Sequence, residues 1–524
     1  MSAALPETPS DVATADLATN DLATADLATA DVETVDVMIV GAGLSGIGAA
    51  VELGRRCPAK SYVILEARDA IGGTWDLFRF PGVRSDSDMY TLGYSFRPWT
   101  GSQAIAQGSS IKSYIADTAR ESGVDRHIRF GHRVTKASWC SQTARWTLEV
   151  TRGGDPSREG GARPKRFSCS FLVLCSGYYS YETPYRPRFA NESVYRGAVI
   201  HPQFWPERLD YAGKRIVVIG SGATAMTVVP EMAKSAAHVT LLQRSPSYIF
   251  NLPAVDAIAT GLKRWLPARV AYPLVRMKNI VVGAAMFQFA RRRPERAKRW
   301  LLGMVKERLP PGFDVARHFT PRYDVWDQRV CVVTDGDLFK AIGTGAVSVI
   351  TDEIDTFTVQ GIRLKSGADV PADIVVVATG LTLNVFGGIE IAVDGARVEA
   401  ARSLTYKGAM LGGVPNLAYT FGYTNASWTL KAELTARFVC RLIRHMHSKG
   451  YAVAMPRPDP HIEERPLIEF SSGYVMRASR LLPKQGSMRP WKVHQNYFLD
   501  ALALRFGRID DGIMAFGRAL SEHP

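Results

Sequence analysis

The chain has 524 residues, of which 46% are hydrophobic and 22% are charged. This balance is typical of a globular protein with a large core, and it excludes a disordered chain, a collagen-like chain and a small disulfide scaffold. The six cysteines are scattered and form no C-x-x-C pair, which also excludes a zinc ribbon and a dithiol reductase. We expect no metal site.

The net charge of +14 is unevenly distributed along the chain. The first 36 residues carry eight acids and no Lys or Arg, whereas residues 261–310 carry 13 Lys or Arg against two acids. Such a basic segment suits an anionic membrane surface, a phosphate-bearing ligand or nucleic acid, or it is only the solvated face of helices. Because no nucleic-acid-binding module is visible, we expect no nucleic-acid partner and leave peripheral membrane contact open.

The sequence gives no sign of a secretory signal or a membrane span. The start lacks a basic stretch followed by an apolar one. The longest apolar run, at 280–290, is shorter than the ~20 residues needed to cross a bilayer. We therefore expect a cytoplasmic protein, with attachment to a membrane surface as the open alternative.

Residues 1–34 are predicted to form a disordered acidic tail. Asp recurs at every fifth position, mostly within D-L-A-T-A units. This period matches neither a helix nor a strand and buries no consistent face. Ordered structure is predicted to begin at Val35.

The first ordered segment reads as a βαβ unit. A strand ends at Gly41, a helix reaches about Gly54, and a second strand ends at Glu66. Gly41 permits the tight turn, Gly43 lets a pyrophosphate approach the backbone, and Gly46 lets the helix pack closely on the strand. Glu66 can accept hydrogen bonds from both hydroxyls of a ribose. The unit therefore predicts a site for an adenine dinucleotide.

A second βαβ unit starts at Lys214, and its turn runs Gly220-Ser221-Gly222-Ala223-Thr224-Ala225-Met226. After its second strand an NAD site would carry an acid, but this chain has Arg244 and Ser245. A carboxylate would repel a 2′-phosphate, whereas Arg244 can bind it and Ser245 can donate to it. NADPH is therefore the predicted second nucleotide. Two dinucleotide units in one chain indicate a flavin that is reduced by a nicotinamide.

Several further motifs resemble those of class B flavoprotein monooxygenases. Gly72-Gly73-Thr74-Trp75 and Phe80-Pro81-Gly82-Val83-Arg84-Ser85-Asp86 resemble the flavin loop of this family. The run 195–206 is similar to the Baeyer–Villiger fingerprint F-x-G-x-x-x-H-x-x-x-W-[PD], with Tyr195 replacing the leading Phe and with Gly197, His201 and Trp205 at the other positions. Three segments resemble the ethionamide-activating subgroup, namely 85–90, 326–329 and 482–487.

The resemblance implies an FAD-, NADPH- and O2-dependent Baeyer–Villiger monooxygenase. It would convert ketones to esters or lactones through a C4a-peroxyflavin, with S-oxygenation of thioethers or thiocarbonyls as further chemistry. Arg329 matches the family's active-site Arg, and Asp86 matches the acid that pairs with it. A positive charge that cannot deliver a proton suits an anionic peroxide. Either residue could instead belong to a structural ion pair.

The family's cofactor contacts carry over residue by residue. On the FAD side they are Ser45, Glu66, Thr74, Trp75, Asp86 and Val134, with Asp76, Leu77 and Ser85 as further cofactor-binding residues. On the NADP side they are Arg84, the turn 220–226, Arg244 and Ser245. Gly197, His201 and Trp205 lie in the linker between the nucleotide domains, where transmitting domain motion or a structural role suits them better than substrate contact. Trp428 and Trp491 suggest a pocket wall, with core packing as the alternative.

Together the motifs predict an α/β fold with two Rossmann-like dinucleotide-binding domains, for FAD and NADP, and a helical insertion. The nearest alternative enzyme is an N- or S-oxygenating flavin-containing monooxygenase, which lacks the W-P ending at 205–206. A membrane-bound NADPH sensor with a degenerate site is the non-enzyme alternative, and the complete motifs argue against it.

The predicted segments are the tail 1–34, the FAD domain 35–185 and 381–524, the linker and NADP domain 186–249 and 329–380, and the helical insertion 250–328.

Overall fold

The structure, a computed structural model, describes residues 32–152 and 165–518, so nearly all of the predicted acidic tail lies outside the described residues. Its strands in chain order are β1 (Glu33–Val40), β2 (Tyr62–Leu65), β3 (Ile128–Arg129), β4 (His132–Cys140), β5 (Arg145–Arg152), β6 (Lys165–Leu174), β7 (Ala198–Ile200), β8 (Arg215–Ile219), β9 (His238–Gln243), β10 (Ile249–Leu252), β11 (Cys331–Thr334), β12 (Val347–Thr351), β13 (Ile354–Thr358), β14 (Gly361–Leu364), β15 (Asp369–Pro371), β16 (Ile374–Val377), β17 (Glu390–Val393), β18 (Ala396–Arg397), β19 (Thr405–Tyr406), β20 (Met410–Leu411), β21 (Leu417–Tyr419), β22 (Val453–Pro456), β23 (Glu464–Pro466), β24 (Lys484–Gly486) and β25 (Met514–Gly517). Its α-helices are α1 (Leu44–Arg56), α2 (Thr74–Leu77), α3 (Met89–Leu92), α4 (Gly108–Glu121), α5 (Ala223–Met232), α6 (Ala257–Trp265), α7 (Ala268–Arg292), α8 (Pro294–Lys306), α9 (Val315–Phe319), α10 (Asp337–Gly343), α11 (Trp428–Lys449), α12 (Gly473–Ala478) and α13 (Tyr497–Ala501).

The larger sheet has eleven strands and contains the first βαβ unit, β1-α1-β2. Strand β1 pairs in parallel with β2 on one side and with β6 on the other. The first half of β6 also pairs with the antiparallel β5, and its second half pairs with the parallel β21. Helices α1, α4 and α11 cover one face of this sheet. Strand β1 begins at Glu33 and not at the predicted Val35, because Glu33 pairs in register with Phe167.

The second sheet has five parallel strands in the order β12-β9-β8-β16-β7. It contains the second βαβ unit, β8-α5-β9. Helices α5 and α10 pack on one face of it, in a core that includes Met226 and Phe339. Each of the two sheets contains a strand–turn–helix unit with parallel strands, which confirms the predicted α/β fold class with two Rossmann-like domains. The predicted boundaries between the domains stay predictions.

The helical insertion lies in the chain between β10 and β11, which pair with each other in parallel. Within it, α7 contributes Tyr272 and Val275 to the core beside the larger sheet and Ala290 to a separate cluster around Tyr248. Helix α7 has 25 residues and is, by length and composition alone, long and apolar enough to cross a membrane. It is longer than the apolar run at 280–290 because it also includes charged residues on both sides of that run.

Candidate active site

A cavity of about 370 Å³ lies where the two predicted dinucleotide turns approach each other. Its wall includes residues of the first turn, of the flavin loop and of the start of α5. This volume is in the range of small-molecule binding sites. The predicted site residues that line it are Gly41, Gly43, Ser45, Glu66, Thr74, Trp75, Arg84, Ser85, Asp86, Val134, Ala223, Thr224 and Arg329.

The remaining predicted site residues do not line this cavity. Some belong to the two turns or to the flavin loop, some lie in the linker, and two are exposed just after the end of β9. They are Gly46, Asp76, Leu77, Gly197, His201, Trp205, Gly220, Ser221, Gly222, Ala225, Met226, Arg244 and Ser245.

The first turn depends on two glycines whose missing side chains permit close contact. Gly41 has a φ of +104°, and a Cβ atom there would lie 2.6 Å from the carbonyl oxygen of Cys175. A Cβ atom at Gly46 would lie 1.8 Å from the carbonyl oxygen of Gly41, so only glycine lets α1 pack on the turn. No side chain caps the start of α1 and its first turn carries no acid. Its free amide groups therefore suit a phosphate.

The carboxylate of Glu66 lies just after β2 at the edge of the cavity. Its Oε2 atom accepts from the Ala42 amide at 2.7 Å, and its Oε1 atom accepts from the Arg68 amide at 2.9 Å. The side chain is 6% exposed, and burial raises the pKa of Glu66. These contacts fix the carboxylate beside the first turn, where the predicted ribose would lie.

The flavin loop turns two side chains toward the cavity and one away from it. Thr74 and Trp75 line the cavity. Asp76 is instead buried and forms ion pairs with Arg68 and with Lys112, the latter at 2.6 Å. Burial opposes ionisation of Asp76, but hydrogen bonds from these two cations leave its pKa below the usual value. Asp76 therefore anchors the loop from behind.

The ion pair predicted between Arg329 and Asp86 is present, with Nη1 and Oδ2 at 3.2 Å. Both side chains line the cavity. The charge of Asp86 raises the pKa of Arg329 above its usual range, so the guanidinium is permanently cationic. The pair joins the flavin loop to the segment that leads into β11. Arg133 and Glu182 form a second ion pair between cavity-lining residues.

The second turn is more open than the first. Gly220 has a φ of +138°, and a Cβ atom there would lie 2.3 Å from the carbonyl oxygen of Ala378. At Gly222 a Cβ atom would meet nothing within 4 Å. Arg244 and Ser245 are exposed after the end of β9. A phosphate would reach this position from solvent.

Arg84 lies between the two turns. Its Nη1 atom donates to the carboxylate of Asp337 at 2.6 Å, which ties the flavin loop to the start of α10. Its Nη2 atom is buried and has no hydrogen-bond partner among the residues described. The group that lines the cavity therefore retains an unused donor, which suits an anionic ligand.

The fingerprint residues hold the linker. A Cβ atom at Gly197 would lie 2.5 Å from the carbonyl oxygen of Asp373, so glycine is required there. The Nδ1 atom of His201 accepts from the Gln203 amide at 3.1 Å, and burial lowers the pKa of His201. Trp205 packs, half-buried, against the core of the second sheet. None of the three reaches the cavity.

Gln203 is a linker residue to which sequence reasoning gave no role. It is 3% exposed, and its Nε2 atom donates to the carbonyl oxygens of Ser180 and Tyr181, both at 2.9 Å. Both of these residues line the cavity. Gln203 thus connects the fingerprint segment to the cavity wall, and no periodicity in the sequence marks it.

Aromatic residues form a further part of the wall. The indole of Trp428 donates to the hydroxyl of Ser45 at 2.8 Å and stacks on Tyr178, with ring centroids 4.9 Å apart. The hydroxyls of Tyr178 and Tyr179 are 2.7 Å apart, and burial raises the pKa of Tyr179 to about 12. Trp428 is therefore a wall residue, whereas Trp491 is buried in the core.

Comparison with known proteins places this site in a wider context. Residues 103–409 match the family described as flavin-binding monooxygenase-like, and residues 39–103 match the NAD(P)-binding Rossmann-like domain. The chain is 53% identical over 480 residues to the FAD-containing monooxygenase EthA of Mycobacterium tuberculosis, covering 91% of this chain and 96% of that protein. It is 44% identical over 481 residues to the probable FAD-binding monooxygenase AlmA of Acinetobacter baylyi, covering 91% of this chain and 95% of that protein.

Two solved structures share the fold. An oxidized steroid monooxygenase bound to NADP has a TM-score of 0.70 at 22% identity, over 93% of this chain and 100% of its own. An open structure of cyclohexanone monooxygenase has a TM-score of 0.71 at 20% identity, over the same shares of the two chains. With the sequence matches, these likenesses confirm the predicted resemblance to flavoprotein monooxygenases: the chain belongs to the flavin-binding monooxygenase-like family.

Proposed function

We propose that this monooxygenase is a Baeyer–Villiger enzyme that uses FAD, NADPH and O2 to convert ketones to esters or lactones. The single observation that carries the proposal is the Arg329–Asp86 pair in the wall of a cavity that both dinucleotide turns reach. The same site would also oxygenate the sulfur of thioethers or thiocarbonyls, since both reactions transfer one oxygen atom.

The residues around the first turn fit FAD. The open amides at the start of α1 suit its pyrophosphate, and the fixed Glu66 carboxylate suits its adenosine ribose. Thr74 and Trp75 line the same cavity as Arg329. Bound FAD would supply the redox chemistry, taking hydride from NADPH and activating O2.

The residues around the second turn fit NADPH. The uncapped start of α5 suits the pyrophosphate, and the exposed pair Arg244 and Ser245 suits the 2′-phosphate. Arg84 adds a buried donor between the two turns. This division agrees with a solved structure of the same fold that holds both FAD and NADP.

Arg329 supplies a fixed positive charge at the cavity. Because its pKa is raised by Asp86, it stabilises negative charge that develops on a transferred oxygen without protonating it. Asp86 orients the guanidinium and keeps it ionised. Trp428 and Tyr178 close the wall with apolar surface, which excludes water from the reacting centre.

The partners that we propose for the site are O2 and a ketone or sulfur compound. We also propose that the enzyme makes peripheral contact with a membrane surface. The membrane proposal is supported by the basic segment 261–310. The residues that line the cavity do not indicate which ketone is the substrate.

The test is ester formed per NADPH consumed by the FAD-loaded enzyme over a panel of ketones and sulfides, with hydrogen peroxide measured in parallel. Arg329→Ala should lower ester yield by about 10²–10³-fold, as loss of a charge-stabilising donor does, and divert NADPH oxidation to peroxide. Asp86→Ala should have a milder effect, and the exposed Arg402→Ala should have none. An Arg329→Ala enzyme that makes ester at the parent's coupling would refute the role of this pair. A parent that oxygenates only nitrogen or sulfur would favour a flavin-containing monooxygenase of the other type.

A further inference from the structure

Helix α7 exposes a row of apolar side chains along one face. Val270, Leu274, Met277 and Val281 follow one another at spacings of four, three and four residues, which places them on one side of the helix. Each is about half exposed. The preceding helix α6 ends in Trp265, which is 87% exposed. A contiguous apolar surface of this kind marks an interaction site.

Basic side chains flank this α7 row at both ends. Arg264 and Arg269 are exposed at its start, and Arg292, Arg293 and Arg296 are exposed after it. A helix with an apolar face and flanking arginines lies in the headgroup region of an anionic bilayer, and tryptophan favours the same region. We infer that the α7 row and Trp265 dock on the surface of an anionic lipid bilayer. This inference rests on the proposed membrane contact and identifies the surface that makes it.

The opposite face of α7 is fixed inside the protein. Arg276 donates to the carbonyl oxygens of Tyr90 and Gly93 and pairs with Glu433 at 2.9 Å, with both charged side chains 7% exposed. Asn279 donates to the Asp88 carboxylate at 2.8 Å. Crossing a bilayer would strip α7 of these contacts and leave a charge in lipid. The helix therefore lies along the bilayer and does not span it.

The positive charge of segment 261–310 favours an anionic lipid surface over a second copy of the chain as the partner of the α7 row. Residues 261–310 carry 13 Lys or Arg and two acids, so two copies meeting at the α7 row would bring like charges together. Anionic headgroups instead neutralise these charges, at roughly 1 kcal/mol for each Lys or Arg near the surface. The docked helix would also contact, through Asn279, the loop that follows Asp86.

The test is flotation of the FAD-loaded full chain with vesicles of phosphatidylcholine alone or mixed with phosphatidylglycerol. The parent should float only with the mixed vesicles, and less so in 1 M salt, where the Debye length is about 3 Å. The triple variant Trp265→Ser/Leu274→Ser/Val281→Ser should lose about tenfold or more in affinity for the mixed vesicles. Its NADPH oxidation with a water-soluble ketone should equal the parent's. Phe506→Ser, which removes an apolar side chain that is 67% exposed elsewhere, is the matched control and should float like the parent.

The outcomes separate the two proposals. A parent that floats with neither vesicle, or equally with both, overturns the membrane contact and this inference with it. Selective flotation that the triple variant retains overturns only the assignment to the α7 row. If the parent self-associates without lipid and the triple variant does not, the α7 row binds a second copy of the chain, and the lipid assignment is overturned. If the triple variant does not fold, Trp265→Ser alone carries the same comparison.

Discussion

The two dinucleotide turns of this chain share the first two glycines of the motif but differ in how far the protein encloses them. At the first turn, Glu66 is almost fully buried and α1 packs directly on the turn. At the second turn, the space beside Gly222 is open, and Arg244 and Ser245 are exposed. The difference therefore lies in the surroundings of each turn, since the first two glycines are common to both.

An enclosed binding site suits a nucleotide that stays bound, whereas an open site suits one that exchanges. In the proposed reaction the flavin is reduced and reoxidised in place, so its site gains from buried, prearranged contacts. The nicotinamide is consumed in each cycle and has to leave, so its site gains from an open approach. We infer that the first turn holds a resident cofactor and the second an exchanging one.

The largest effect that would test this comparison is expected from Gly46→Ala. The new methyl group would lie 1.8 Å from the carbonyl oxygen of Gly41, so α1 has to move off the turn. We expect a loss of about 3 kcal/mol or more in stability and little bound flavin. Flavin content and thermal unfolding measure both effects.

The matched control is Ala225→Gly, because Ala225 holds the corresponding position of the second turn. It should cost only about 1 kcal/mol, the helix-propensity difference between alanine and glycine. A Gly46→Ala protein with the parent's flavin content and melting temperature would contradict the difference between the turns.

A smaller effect is expected from Glu66→Gln, which keeps the size of the side chain. Its carboxylate accepts two backbone N–H groups, whereas an amide would face one of them with its own donor. The dissociation constant for FAD should rise about 10–100-fold, with the KM for NADPH unchanged. Titration of the apoprotein with FAD measures this, and the exposed Glu390→Gln is the control.

The pH dependence of FAD binding also tests the role of the Glu66 carboxylate. Burial raises the pKa of Glu66, so the carboxylate gains its proton at a higher pH than an exposed Glu does as the pH falls. Protonation removes an acceptor, and FAD affinity should therefore weaken on the acid side of this raised pKa. The Glu66→Gln protein should lack that step. An identical pH profile in both proteins would remove Glu66 from ribose binding.

The βαβ units were predictable because apolar runs end at glycine turns, and the strand and helix bounds agree to within a few residues. The partners Arg329 and Asp86 could be paired only through the family resemblance, since they lie far apart in the chain. Gln203, Tyr178 and Trp428 were given no firm role, because linker and wall residues come from separate loops without periodicity. The full length of α7 was also hidden, because charged residues lie on both sides of the apolar run 280–290.

At the second turn we expect a moderate effect from Arg244→Ala. Loss of one charge-assisted contact to a 2′-phosphate at an exposed site costs about 1.5 kcal/mol, so the KM for NADPH should rise about tenfold. The KM for NADH and the flavin content should stay at the parent's values. Steady-state kinetics with both coenzymes measure this. An equal loss with NADPH and NADH would contradict the assignment of Arg244.

The smallest expected effect concerns the aromatic wall on the FAD side. Trp428→Phe removes the indole N–H that donates to Ser45 but keeps a ring to stack on Tyr178. Ser45→Ala removes the other partner of the same hydrogen bond. Each single change should weaken FAD binding about two- to tenfold, as expected for one neutral hydrogen bond, and should leave the KM for NADPH unchanged.

The double variant Trp428→Phe/Ser45→Ala decides whether the contact itself matters to flavin binding. If the hydrogen bond orders α1 against α11 around the flavin, the second change should add little to the first, giving a coupling of about 0.5–1.5 kcal/mol. Additive losses would mean that the two side chains contact the flavin independently. A rise in the KM for NADPH in any of the three variants would show that the wall serves both nucleotides, which would break the division between an enclosed and an open site.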